Sequence, residues 1–132
     1  MYTVPPMTHT LSLIIPVYNE APHLEQFLTI IDRLELPIAK ELVIVDDGST
    51  DGSAEILKNF PFHSRTVFIN QVRNQGKGAA VRLGIRRAAG DFIGIQDADL
   101  ETNCDDVRAL VGPLLEGKAD VVYGSRFKKS GY

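Results

Sequence analysis

Leu42-Val-Ile-Val-Asp-Asp-Gly-Ser-Thr-Asp-Gly52 passes from an apolar run straight into a polar turn. Its first four residues are continuously apolar and mostly β-branched, as expected of a central parallel strand covered on both faces. The apolar run stops at Asp46-Asp-Gly-Ser-Thr-Asp-Gly52, a cluster of turn formers, after which Ser53 to about Phe60 has the spacing of a short helix. A buried strand that ends in a polar turn and feeds a helix is half of a β-α-β unit.

The pattern repeats on both sides. Upstream, Leu11-Ser-Leu-Ile-Ile-Pro-Val17 reads as a strand, Asn19 offers an N-cap, and Pro22 falls in the first turn of the next helix. Leu24, Phe27, Leu28, Ile31 and Leu34 recur at three- and four-residue steps and form a buried stripe, with Glu25, Asp32 and Arg33 facing away and Pro37 ending the helix. Downstream, a third strand is expected near Thr66 to Ile69. The Gly-rich turn Asn74-Gln-Gly-Lys-Gly78 then opens a helix through about Ala89 whose inner face is Ala80, Val81, Ile85 and Ala88. After the turn at Gly90-Asp91, Phe92-Ile-Gly-Ile95 is a strand, Asp105 to about Glu116 a helix, and Val121 to Tyr123 a last strand.

This β-α alternation specifies an α/β, doubly wound, mainly parallel sheet with helices on both faces. Ligands bind such sheets beyond the carboxyl ends of the strands. Asn19, Asp46, Asp47, Asp97, Asp99, Ser125 and Arg126 all follow strands and should converge on that edge.

The chain has 132 residues, 44% of them hydrophobic and 23% charged, enough for one domain to bury roughly two thirds of its unfolded surface without staples. Cys104 is alone, so no internal disulfide can form and a reducing cytoplasm is expected. Met1 to Thr10 shows no export signal, and Leu11 to Val17 is far shorter than the roughly 20 residues of a membrane span. A net charge of -3 speaks against a general nucleic-acid binder, while leaving local basic clusters open.

Asp97-Ala-Asp99 sets two carboxylates two positions apart, so that in extended backbone both point the same way and can approach one divalent cation. Glu101 adds a third oxygen ligand in phase; the same acids could equally cap a helix or face solvent. In Asp46-Asp-Gly-Ser49 one carboxylate can accept hydrogen bonds from a base or ribose, or the segment can be a plain turn. Gly76-Lys-Gly78 is not a phosphate loop of the Walker type, because Gln71 stands where a glycine is needed and Gly78 where Ser or Thr is needed. A flexible start to a helix still favours an anion. Arg126, in Gly124-Ser-Arg126, is either an exposed turn residue or a guanidinium that pairs with phosphate oxygens. Arg82, Arg86 and Arg87 read as solvated, and His9, His23, His63 and Cys104 as structural or incidental.

Five segments in order, Ile15-Pro-Val-Tyr-Asn-Glu20, Val45-Asp-Asp-Gly-Ser-Thr-Asp-Gly52, Asn74-Gln-Gly-Lys-Gly78, Gln96-Asp-Ala-Asp-Leu-Glu101 and Gly124-Ser-Arg-Phe127, closely resemble family 2 GT-A glycosyltransferases. The resemblance runs from Leu11 to Phe127 and is strongest to the polyprenyl-phosphate branch, the dolichol-phosphate mannose or glucose synthase-like enzymes. It implies a Rossmann-like GT-A domain over residues 11–132 preceded by an extension at 1–10, without the acceptor region into which family members continue. It further implies that Pro16, Tyr18 and Glu20 line the nucleoside pocket, that Asp47 contacts the base, and that Lys77 steadies the loop. By the same resemblance Asp97 approaches ribose or metal, and Asp99 with Glu101 holds Mg2+ or Mn2+ against the donor diphosphate. Arg126 matches a family arginine placed near phosphates. The family's His-x-Pro or Tyr-x-Pro continuation is replaced here by Thr102-Asn-Cys-Asp-Asp106.

The function expected is sugar transfer from a nucleotide-diphosphate sugar, UDP-sugar rather than GDP-sugar, to a polyprenyl phosphate. The alternative is a non-catalytic nucleotide-binding or regulatory module. A nucleotidyltransferase is disfavoured, since no glycine- and lysine-rich loop follows Val17. A chain without the acceptor region leaves apolar surface and a sheet edge uncovered, so a homo-oligomer is expected. The expected location is cytoplasmic, peripheral to the inner face of the membrane, with no transmembrane segment.

Overall fold

The computed structural model describes residues 9–99, Val111 and 121–123. In chain order these are β1 (Thr10–Val17), α1 (Ala21–Arg33), β2 (Ala39–Asp47), α2 (Ser53–Asn59), β3 (Arg65–Gln71), α3 (Lys77–Arg87), β4 (Phe92–Ile95) and β5 (Val121–Tyr123). The strands form one five-stranded sheet in the order β3-β2-β1-β4-β5, with every pairing parallel. The chain winds outward from β1 to β3, then crosses back through α3 to β4 on the other side of β1. That reversal opens a crevice at the carboxyl ends of β1 and β4.

The unbroken apolar runs follow from burial on both faces. Leu42 and Ile44 of β2 and Leu11, Leu13, Ile15 and Val17 of β1 pack with Leu24, Phe27, Leu28 and Ile31 of α1 and Leu57 of α2. Ile14 and Val43 point to the other face, where Val81 and Ala88 pack against them. Here α3 lies close: a Cβ on Gly84 would stand 2.5 Å from Ile14 Cγ2. Gly84, with Ala80, therefore forms the buried face of α3, and Ile85, expected on the inner face, is 39% exposed.

Two further expectations are corrected. Asn19 does not cap α1: Glu20 holds the N-cap position without a side-chain hydrogen bond, and the Asn19 Oδ1 accepts instead from Thr50 N at 2.8 Å. Asp32 does not face solvent but is buried, with its carboxylate accepting from the backbone N–H groups of His63 at 3.0 Å and Ser64 at 2.9 Å. Burial alone would raise this carboxyl, yet those two N–H groups, the Ser64 hydroxyl and nearby Lys40 together hold it below its ordinary value. Lys40 also ends α1, its ammonium donating to the carbonyls of Ile31, Asp32 and Leu34 at 2.7, 2.8 and 2.7 Å. The helix expected at 105–116 lies outside the described residues except for Val111, which is helical and buried in the α1 side of the core.

Candidate functional site

Three loops and one strand end meet at the carboxyl edge of the sheet. The β1–α1 and β2–α2 loops are tied by four hydrogen bonds. Asn19 N donates to Ser49 Oγ at 2.9 Å, Thr50 N to Asn19 Oδ1, Glu20 N to Ser53 Oγ at 3.1 Å and Ala21 N to Asp51 Oδ2 at 3.0 Å. Asn19 reaches this position in left-handed backbone, φ 53°, which its short amide side chain tolerates better than most. Asp51 also accepts from Ser53 N and Ser53 Oγ. Burial would raise its carboxyl, but these donors and Ala21 N outweigh it and keep Asp51 below its usual value. The result fixes Tyr18 and Glu20 against the sheet edge.

Asp47, at the end of β2 and 2% exposed, organises the third loop. Its Oδ1 accepts from Gln75 N at 2.8 Å, and its Oδ2 from Gly76 N at 3.0 Å and Asn74 Nδ2 at 3.2 Å. A carboxylate offers about four acceptor directions, and the described residues occupy three of them. The Gly-rich turn that opens α3 is thus pinned by an acid 27 or more positions away in sequence.

The last component follows β4. Gln96 N donates to Ile14 O at 2.9 Å, extending the β1–β4 pairing by one residue, and the buried Gln96 amide donates to Asp97 O at 3.2 Å. Asp97, Ala98 and Asp99 then turn across the top of the switch point. The Lys77 ammonium forms an ion pair and hydrogen bond with Asp97 Oδ1 across the crevice.

These parts enclose an open cleft of about 380 Å³ lined by Pro16, Tyr18, Glu20, Asp47, Lys77, Asp97 and Asp99, together with Asn74. Seven of the nine residues singled out from the sequence therefore share one cavity; Glu101 and Arg126 lie outside the described residues. The volume is in the range of small-ligand sites. The cleft is acidic: partial burial, followed by the charge of Asp99 and those of Asp51 and Asp97, pushes the Glu20 carboxyl up against the opposing effect of His23. Paired carboxylates are hard oxygen donors of the kind Mg2+ and Mn2+ take. Among the described residues no group of three His, Cys, Asp or Glu side chains is assembled for a metal. A cation here would rest on Asp97 and Asp99 with its other ligands from the bound substrate.

The sequence pattern, the crossover order and this cleft agree with a match of the Glycosyl transferase family 2 model to residues 12–132. The chain belongs to glycosyl transferase family 2. Among its relatives, the dolichyl-phosphate beta-glucosyltransferase of Trichomonas vaginalis is 35% identical over 127 residues, covering 87% of this chain and 38% of that protein. Among solved structures, glucosyl-3-phosphoglycerate synthase from Mycobacterium tuberculosis, in complex with Mn2+, UDP and glucosyl-3-phosphoglycerate, superposes with TM-score 0.65 at 28% identity, covering 82% of this chain and 40% of that one. A mannosyltransferase from Pyrobaculum calidifontis, in complex with GDP-Man and Mn2+, gives TM-score 0.58 at 29% identity, covering 73% and 30%. The fold is the GT-A arrangement of this family. The chain spans about a third of the length of the curated relatives it matches.

The loop-to-loop hydrogen bonds of Asn19, Ser49, Asp51 and Ser53 and the anchoring of Asn74 by Asp47 escaped the sequence reading. The Asp51-x-Ser53 spacing was the available signal for the first, as an acid accepting from the N–H two positions on. Nothing local signals the second, since Asp47 and Asn74 meet only through the crossover.

Proposed function

We propose that this chain is the donor-binding part of a sugar transferase that takes a UDP-sugar with Mg2+ or Mn2+ and serves a polyprenyl-phosphate acceptor. The observation that carries the reading is the convergence of Asp47, Lys77, Asp97 and Asp99 on one cleft at the switch point of a family 2 sheet. The acceptor direction of Asp47 that no described residue takes suits a base N–H. Tyr18, 46% exposed at the rim, offers a ring face for stacking. Asp97 and Asp99 would hold the cation, and Lys77, close to them, would exchange its bond with Asp97 for donor phosphate oxygens. A divalent cation, when bound, stabilises the charge that develops on the departing nucleoside diphosphate. An acceptor that is already a phosphate anion needs no strong base from the protein, in keeping with a cleft that presents acids and one lysine. The Mn2+ and UDP complex of the mycobacterial neighbour is in keeping with uridine, and the GDP-Man complex of the archaeal one makes guanosine the alternative to test.

Calorimetric titration of UDP and of GDP, each with and without Mn2+, tests this. Metal-dependent UDP binding supports the reading. GDP binding alone reverses the base assignment, and binding without turnover on any polyprenyl phosphate favours a nucleotide-binding module. We also propose self-association through a sheet edge, of which β3 is one by its terminal place in the strand order among the described residues. Light scattering at micromolar concentration that gives only monomer ends that proposal. No helix among the described residues is long and apolar enough to cross a membrane.

A further inference from the structure

Positive charge is concentrated in one part of the chain. Arg65, Arg73, Lys77, Arg82, Arg86 and Arg87 lie between positions 65 and 90, six of the chain's 14 basic residues, and none of its 17 acidic residues falls there although the net charge is -3. Arg73, Arg82, Arg86 and Arg87 are exposed, and among the described residues none of the four is ion-paired. Arg82 and Arg86 stand one turn apart on α3, beside the 39%-exposed Ile85 and away from the buried Ala80 and Gly84. Toward the other end of α3, Val72 is 95% exposed next to Arg73, in the loop that continues into Asn74 and Lys77 of the cleft wall.

Exposed apolar side chains set among exposed arginines fit a surface that is anionic outside and apolar beneath. Each basic residue brought to an anionic leaflet favours binding roughly fivefold, and an inserted apolar side chain adds to it. Nucleic acid fits less well. Unstacked bases need exposed aromatic platforms, and the one aromatic residue of this segment, Phe68, is half-buried against the core.

We propose that the outer face of α3 and the Val72–Arg73 loop dock this domain on an anionic lipid surface, with the cleft opening beside the contact. The inference goes beyond the donor-site reading and does not depend on it, because it needs neither nucleotide nor metal.

The test is co-sedimentation of the 132-residue chain with vesicles of phosphatidylcholine alone and of phosphatidylcholine with phosphatidylglycerol, at low and high salt. Binding is expected to the anionic vesicles only and to fall as salt screens the charges. The double variant R82Q/R86Q should bind on the order of 25-fold more weakly, at roughly fivefold per charge. Val72→Ser should show a smaller loss. Both variants should keep the wild-type melting temperature and nucleotide titration, since none of these residues lines the cleft. Equal binding to neutral vesicles, no binding to anionic ones at low salt, or a double variant indistinguishable from wild type overturns the proposal. So does tighter binding to a single-stranded oligonucleotide than to the anionic vesicles.

Discussion

Gly48 packs so closely on Asn74 that a Cβ added to Gly48 would stand 2.4 Å from the Asn74 backbone nitrogen. The contact brings the β2–α2 loop against the β3–α3 loop, and Gly48 sits there at φ 73°. Both conditions exclude other residues, one by collision with backbone and one by conformation. Gly48→Ala should therefore cost on the order of 1–3 kcal/mol from the left-handed backbone alone, with more from displacing Asn74. Urea unfolding measures the loss, and a change under about 0.5 kcal/mol, within the ordinary range for surface substitutions, would contradict the close approach.

Asp51 acts on the cleft through the loop that carries Glu20. Asp51→Ala removes acceptors from Ala21 N and Ser53 N, bonds to a charged group of about 1.5–3 kcal/mol each in the favourable case, less where exposed as here. The expected outcome is a modest fall in stability, about 1 kcal/mol, with weaker nucleotide binding, as the β1–α1 loop loses one of its four ties to the β2–α2 loop. Asp51→Asn, which retains one acceptor oxygen, should recover part of both. Nucleotide affinity unchanged in Asp51→Ala would show that the loop keeps its place without this bond.

Asp32 makes stability depend on acid. Its folded carboxyl lies below the ordinary value, so the unfolded chain binds its proton first as pH falls. The stabilisation is complete above pH about 4, the unfolded value, and is lost as pH drops through the lower folded value. Unfolding free energy measured from pH 6 downward should fall more steeply in the wild type than in Asp32→Asn. The variant should be less stable at neutral pH, where an NH2 donor replaces one of the two oxygens that accept from His63 N and Ser64 N. Parallel curves would remove Asp32 from the acid transition.

The parallel sheet was legible because the runs that form β1 and β2 are apolar on both faces, as strands covered on both sides are. The cleft was legible as a set of residues following strands. What the sequence did not disclose has a common cause: it depends on partners far along the chain. Asp32 sits where helical spacing faces solvent, but the segment before β3 folds over it and supplies two N–H groups. Ile85 has the spacing of an inner-face residue, but the approach of α3 to Ile14 turns Gly84 inward instead. Asn19 has the chemistry of an N-cap, yet the β2–α2 loop takes its side chain first.

Lys77 supplies the positive charge nearest the cleft's acids, and its bond to Asp97 links α3 to the end of β4. Lys77→Met should leave that carboxylate without its cation partner. Mn2+ binding in the absence of nucleotide should become tighter, since no ammonium competes for Asp97, while UDP binding without metal should weaken as an anion enters a more negative cleft. Exposure screens the pair, so the shifts are expected to be a fewfold rather than orders of magnitude. Both affinities unchanged would mean that Lys77 has no part in the site.

Asp99 separates the cation reading from simple charge. If Asp99 is a cation ligand, Asp99→Ala should weaken Mn2+-dependent UDP binding by at least about tenfold, the lower end of what disturbed coordination costs. If it only adds negative charge, the same substitution should improve UDP binding with and without metal, because the diphosphate then meets less repulsion. A second readout checks that the residue was where the geometry has it. Asp99 is the largest charged contributor to the raised carboxyl of Glu20, so in Asp99→Ala the Glu20 titration followed by NMR should move down toward the ordinary value. A lowered Glu20 titration together with lost metal-dependent binding assigns Asp99 to the cation. A lowered titration with unchanged or improved binding leaves it a neighbour of the site and transfers the metal role to Asp97.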